Sequence, residues 1–283
     1  MAALPAYTTP LERSWHYGFR IICGLIFLFL IAPIFIIIPL SFNAEPYFTF
    51  SSGMLALDSD AYSLRWYRDF LYNREWTHAL QNSFIIAISS TIIATVLGTI
   101  AALGLARAHM PFRGLVMGML ISPMIVPLII SAAAMFFFYS NIGLAKTYPG
   151  VILAHAALGT PFVVITVTAT LVGFDNSLIR ASQSLGADPT RTFFKVIMPL
   201  ILPGVISGAL FAFITSFDEV VIILFLAGFE QRTITRQMWS GIREEISPTI
   251  LAVATVLIVI SALLLAALEL IRRRNERLRG IKG

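Results

Sequence analysis

Residues 76–106 read WTHALQNSFIIAISSTIIATVLGTIAALGLA, with no Asp, Glu, Lys or Arg between Glu75 and Arg107. A helix of roughly 20 apolar residues crosses a hydrocarbon core about 30 Å thick, and this run is long enough. Five more uncharged runs accompany it, at 21–44, 114–145, 147–174, 196–217 and 246–268. Of the 283 residues 58% are hydrophobic and 12% charged, about half the charge of an ordinary soluble domain. The expected fold is therefore all-α, a polytopic membrane protein with six transmembrane helices. The first run is too long in its apolar part, and lacks the small-residue site, for a cleaved signal sequence.

Six spans place both ends of the chain on one side. Thirteen of the 20 basic residues then fall there: Arg13, Arg20, Arg107, Arg113, Arg180, Arg191, Lys195, Arg272, Arg273, Arg274, Arg277, Arg279 and Lys282. Seven fall opposite: Arg65, Arg68, Arg74, Lys146, Arg232, Arg236 and Arg243. Basic residues near spans favour the cytoplasm. The expected organisation is a cytoplasmic segment 1–20, a six-helix domain 21–271 with a cytoplasmic loop 175–199, and a basic cytoplasmic tail 272–283. The net charge of +5 thus serves topology and does not point to nucleic acid. Cys23, the single cysteine, excludes an internal disulfide and a multi-cysteine metal site.

Small residues in the second and third runs (Gly98, Ala101, Ala102, Gly104; Ser131 to Ala134) suit close helix packing in lipid. Pro123, Pro127 and Pro161 interrupt spans, either as packed kinks or because freed carbonyls line a pathway. In the outer loop 43–75, YSLRWYRDFLYN (62–73) spaces Leu64, Trp66, Tyr67, Phe70 and Leu71 almost as a helix would. It either lies in the membrane interface or forms a structured cap.

The cytoplasmic segment RASQSLGADPTRTFFKVIMPLILPG (180–204) stands out among these greasy runs. Ser177 or Ser182 can cap a short helix, and Pro199 can sit near the start of the next. Phe193, Phe194, Ile197 and Met198 give an apolar side, Arg191 and Lys195 a polar one. Gly186 lets another surface come close. From physics alone this is either a displayed docking helix or an ordinary connection.

The spacing resembles the EAA loop of permease subunits of ATP-binding-cassette importers, EAA-x3-G-x9-I-x-LP. The match runs from Arg180-Ala181-Ser182 through Gly186 and Ala187 to Val196, Met198 and Pro199. Arg180 replaces the family's Glu, and Ser182 its second Ala. Residues 79–107 resemble the start of the family's transmembrane module, and the resemblance covers most of 60–270. It implies a coupling helix that fits a groove of a separate ATPase subunit. It also implies a second permease subunit (a paralogue or a second copy), two ATPase subunits carrying ATP and Mg, and a periplasmic solute-binding protein touching 43–75 and 229–247. The chain itself has no G-x-x-x-x-G-K-[ST] loop to cradle phosphates. No catalytic residue, cofactor or metal is therefore expected here, and the chain is read as a transport subunit, not an enzyme.

Asp218 and Glu219 interrupt AFITSFDEVVIILFLAG (212–228) in the middle of an apolar stretch. A charge at the bilayer centre costs about 2.5–3.5 kcal/mol on insertion scales. Three roles are open: attracting a cationic solute, making an ion pair or cap at a helix break, or being protonated. Thr215 lies on the same face. His155, the one histidine within a span, either packs through a hydrogen bond or borders the solute path. SFDEVVIILFLAG with MWSGIREEISPTILAVATVLIVIS resembles putrescine and spermidine permeases, which implies polyamine import across a bacterial inner membrane. The alternatives are an opine-like or amino-acid-derived solute in the same kind of importer, or a membrane scaffold.

Overall fold

A computed structural model describes residues 9–107, 110–175, 177–244 and 247–278. In chain order its helices are α1 (Pro10–Leu40), α2 (Ser52–Leu55), α3 (Arg65–Tyr72), α4 (Arg74–Leu105), α5 (Arg113–Ile125), α6 (Leu128–Asn141), α7 (Tyr148–Val172), α8 (Ser177–Ser184), α9 (Pro189–Thr192), α10 (Met198–Asp218), α11 (Val221–Leu226), α12 (Ile234–Glu244) and α13 (Thr249–Leu278). The chain divides into two compact units, one of Met1–Asn73 with Gly241–Gly283, the other of Arg74–Ser240.

In the first unit, α1 opens on a capping box between Thr9 and Glu12, with Pro10 at the first helical position. Both features satisfy or remove amides that a helix start leaves unpaired. Residues 10–20 are thus continuous with the first apolar run. Leu40 is the one buried residue of this helix, so its apolar surface faces out of the chain, as a lipid-facing helix does. The loop after it is a folded cap. Trp66 Nε1 donates to the Asn43 carbonyl at 2.7 Å, and the Ser41 and Tyr67 hydroxyls are 2.6 Å apart. Phe70 and Met54 are buried, and the Thr249 hydroxyl donates to Asp69 Oδ2 at 2.7 Å, tying α3 to α13. Of the two expectations for 62–73 the structured cap holds, with Leu64 and Leu71 left exposed.

The second unit is built on α4, α7 and α10. They pack where glycines remove side chains. A Cβ on Gly98 would lie 2.6 Å from Val163 Cβ, one on Gly159 2.9 Å from Ala212 Cβ, and one on Gly208 2.7 Å from Val163 Cα. Without a hydrophobic force between helices in lipid, such close contact supplies the association. Ala94, Ala102, Val163, Val167, Ile201 and Ala212 form the core at one end. Gly104, expected to pack likewise, has open space around it. A second core gathers Ile86, Val151, Ala154, Leu158, Ile222, Ile223 and Leu226, where α11 enters the bundle beside α6.

The six expected spans correspond to four long apolar rods, one bent pair and α13. Among the described residues, four helical rods are long and apolar enough to cross a membrane: Pro10–Leu40, Arg74–Leu105, Tyr148–Val172 and Pro189–Asp218. The run 114–145 is instead a pair, α5 and α6, bent by 101°. Pro127 is the reason: it holds the preceding Val126 in extended backbone, the region a residue before proline favours. Counting that pair as one span gives five. The last run forms the start of α13, a helix of 30 residues from Thr249 to Leu278. Pro161 does not interrupt its span; it lies buried inside a continuous α7. Arg279 and Lys282 lie outside the described residues.

Candidate functional site

Two places in the second unit carry the residues singled out from sequence. The first is the loop between α7 and α10. Its helix α8 is described from Ser177, with Ser182 inside it, and the side chain that meets its first described amide is that of Asp175. Asp175 Oδ2 accepts from the Ser177 hydroxyl at 2.6 Å and Oδ1 from the Ser177 amide at 2.8 Å. These bonds favour the ionised form and hold the Asp175 carboxyl below its ordinary range.

At the other end of α8, the Gly186 amide donates to Gln183 O at 2.9 Å and the Ala187 amide to Ser182 O at 3.0 Å. This is a Schellman motif, and Gly186 takes the left-handed φ of +82° it requires. Gly186 has nothing within 4 Å of an added Cβ, so within this chain its role is the turn rather than close approach. Arg180, Ala181 and Gly186 are exposed, Ser182 and Ala187 half-buried. The Ser182 and Thr192 hydroxyls, 3.0 Å apart, fasten α8 to the next rod. That rod starts at Pro189, with Asp188 accepting the Arg191 amide at 2.7 Å. It passes through a π-helical turn, Phe193–Ile197, into α10. Phe193, Ile197 and Met198 therefore belong to the following rod and not to the short helix. Phe194 is exposed, as is Pro199 in the first turn of α10.

The second place is the break after Asp218. Glu219 is extended at φ −72°, ψ 123°, and its Oε1 accepts the amides of Val221 at 2.5 Å and Ile222 at 3.0 Å. An anion on the first amides of a helix satisfies orphan donors and opposes the positive end of its dipole. The far end of α11 is met by a cation. Arg236 Nη1 donates to the carbonyls of Ala227 at 2.9 Å, Gly228 at 3.3 Å and Ile223 at 3.4 Å. Loss of hydration, with Arg232 as a like-charged neighbour, pulls the Arg236 guanidinium below its ordinary pKa. Glu219 is 9% exposed, whereas Asp218 is exposed and Thr215 half-buried. The three do not converge on one ligand position: Glu219 turns inward to α11, and Asp218 keeps its carboxylate at the surface of the chain.

His155 sits one layer away at the crossing of α4, α7 and α10. It is 1% exposed; its Nδ1 is 2.8 Å from the Ser216 hydroxyl, which accepts from Ser90 at 3.0 Å. Nε2 has no partner among the described residues. His155 thus makes its hydrogen bond to the residue two before Asp218, not to the acids themselves.

Sequence reasoning missed Arg236 as a helix cap, and it missed Asn82. Buried in α4, Asn82 donates to the carbonyls of Glu230 at 2.7 Å and Arg232 at 3.0 Å, and accepts from Tyr148 at 2.8 Å. The Ile234 amide adds a bond to Ser83 at 2.8 Å. The signal was present: Asn82 and Ser83 are adjacent polar residues inside an apolar run.

Comparison with known proteins follows the same outline. The family described as "Binding-protein-dependent transport system inner membrane component" matches residues 94–277. The spermidine/putrescine transport system permease protein PotC of Haemophilus influenzae is 30% identical over 251 residues, 89% of this chain and 95% of PotC. The trehalose transport system permease protein SugB of Mycobacterium tuberculosis is 32% identical over a shorter stretch, 56% of this chain and 58% of SugB. In fold, the chain is similar to a crystal structure of a bacterial ABC transporter involved in alginate import. The TM-score is 0.72 at 13% identity, with 95% of this chain and 99% of the other covered. With a profile match over most of its length and a relative matched nearly end to end, the chain belongs to the inner-membrane permease components of binding-protein-dependent ABC importers.

Proposed function

We propose that this permease subunit moves polyamines such as putrescine and spermidine. The observation that carries the reading is the break after Asp218, where an apolar rod ends on an exposed carboxylate while the adjacent acid is consumed as a cap. A polyamine is a flexible polycation, and an accessible carboxylate attracts it by charge. The near full-length similarity to PotC, against the partial similarity to SugB, supports the same choice.

In this reading the loop 175–199 and both chain ends are cytoplasmic. Helix α8, with Arg180, Ala181 and Gly186 outward, docks on one of two ATPase subunits that hold ATP and Mg. A second permease, a paralogue, completes the pathway, and a periplasmic binding protein delivers the solute. Transport is then a switch between two packings whose relative stability ATP and the loaded binding protein alter. The similarity to SugB favours a sugar as the second reading. The two are separated by ATP hydrolysis of the reconstituted importer. Stimulation by its binding protein with spermidine or putrescine, and not with trehalose, is the expected result. Stimulation by the sugar alone would replace the polyamine.

A further inference from the structure

At the end of the bundle that carries α8, a cavity of about 470 Å³ opens between the ends of α4 and α7, α8 and the π-helical turn. Leu103, Leu171, Phe174, Ile179, Phe193 and Ile197 give it an apolar lining, and among the described residues Arg107 is its one charged side chain. Phe193 and Ile197 are the first and last residues of the π-helical turn. Both face the cavity, so the irregular turn builds one wall. Such turns recur at functional sites.

We infer that this cavity binds one anionic phospholipid, its phosphate on Arg107 and part of an acyl chain against the apolar wall. The chemistry narrows the occupant. Among the described residues the lining has no carboxylate, so a polyamine meets only a repelling guanidinium there. A small hydrophilic anion would match Arg107 but leave the apolar lining uncovered. An amphiphile with one anionic group satisfies both, because a guanidinium pairs with phosphate oxygens through charge-assisted hydrogen bonds. The position agrees: Leu103 and Leu171 lie at the ends of two membrane-crossing helices, where headgroups sit. Ile179 adds a contact from α8, so a lipid seated here touches both the bundle and the helix proposed to meet the ATPase. Lipid binding itself does not depend on that proposed role of α8.

The test uses the whole importer in nanodiscs of phosphatidylcholine doped with phosphatidylglycerol bearing a photoreactive group on its acyl chain. Cross-linked peptides are then identified by mass spectrometry. Label is expected on the segments containing Ile179 and Phe193. Arg107→Gln should reduce it by about tenfold, the size expected for one charge-assisted hydrogen bond. Arg113→Gln, an exposed cation outside the lining, should leave it unchanged. Ile179→Trp should fill the cavity and also remove label. Equal labelling by a phosphatidylcholine analogue, equal loss with Arg113→Gln, or displacement by inorganic phosphate would each overturn the lipid site.

Discussion

Glu219 Oε1 and the amide of Ile222 are joined at 3.0 Å across the break between α10 and α11. That bond separates the two acids by role. Glu219→Ala removes the acceptor and should lower stability by about 1 kcal/mol, the usual cost of losing a helix N-cap. Asp218→Asn touches no such bond and should leave the thermal midpoint in detergent unchanged while slowing polyamine uptake at equal membrane abundance. The reverse pattern, with Asp218→Asn destabilising and transport intact, would place Asp218 in the scaffold.

The His155–Ser216–Ser90 chain gives a second prediction. Ser216→Ala leaves His155 Nδ1 buried without its partner, a penalty of about 1–3 kcal/mol. Pairing it with His155→Leu removes both polar partners, so the double variant should recover part of the loss. Thermal midpoints of the single and double variants measure the coupling, and simple additivity would show that the bond contributes nothing.

Packing through glycine is testable by a matched pair. Gly208→Ala puts a methyl 2.7 Å from Val163 Cα and 2.5 Å from Thr166 Oγ1, and backbone cannot yield cheaply. A loss of about 1–3 kcal/mol is expected from overpacking. Gly104→Ala, in open space on α4, should be neutral or slightly stabilising. Equal effects at the two sites would refute the close approach of α7 and α10.

Gly186 carries a backbone prediction. At φ +82° a Cβ costs roughly 1–2 kcal/mol, so Gly186→Ala should loosen the end of α8, seen as faster proteolysis between Ser184 and Pro189. Gly186→Asn should be tolerated better, because Asn visits this region more readily. A bulky replacement would mix this strain with any effect on ATPase docking, so the Ala and Asn pair is the cleaner probe.

These residues also show what the sequence made legible. Uncharged runs located α1, α4, α7 and α10 because the length of an apolar run is itself the membrane signal. Spacing marks Gly186 as a glycine but does not reveal its φ of +82°. Glu219 stood out as an acid among apolar neighbours, with a cap among its possible roles. Its use in that role depends on where α10 stops, and on Thr235, whose hydroxyl donates to the Glu219 carbonyl at 3.2 Å. Arg236 could not be found from its own surroundings, because the carbonyls it caps precede it by 8 to 13 residues. The bend at Pro127 was flagged as an interruption, but the 101° angle between α5 and α6 is not readable from a proline alone.

The most direct measurement is ATP-driven uptake into proteoliposomes that contain the complete importer and its binding protein, with labelled spermidine, putrescine and trehalose offered in parallel. Accumulation of the two polyamines, each blocked by excess of the other and not by trehalose, is the expected result. Accumulation of trehalose with no movement of either polyamine would contradict the polyamine assignment and leave the exposed Asp218 without its proposed partner.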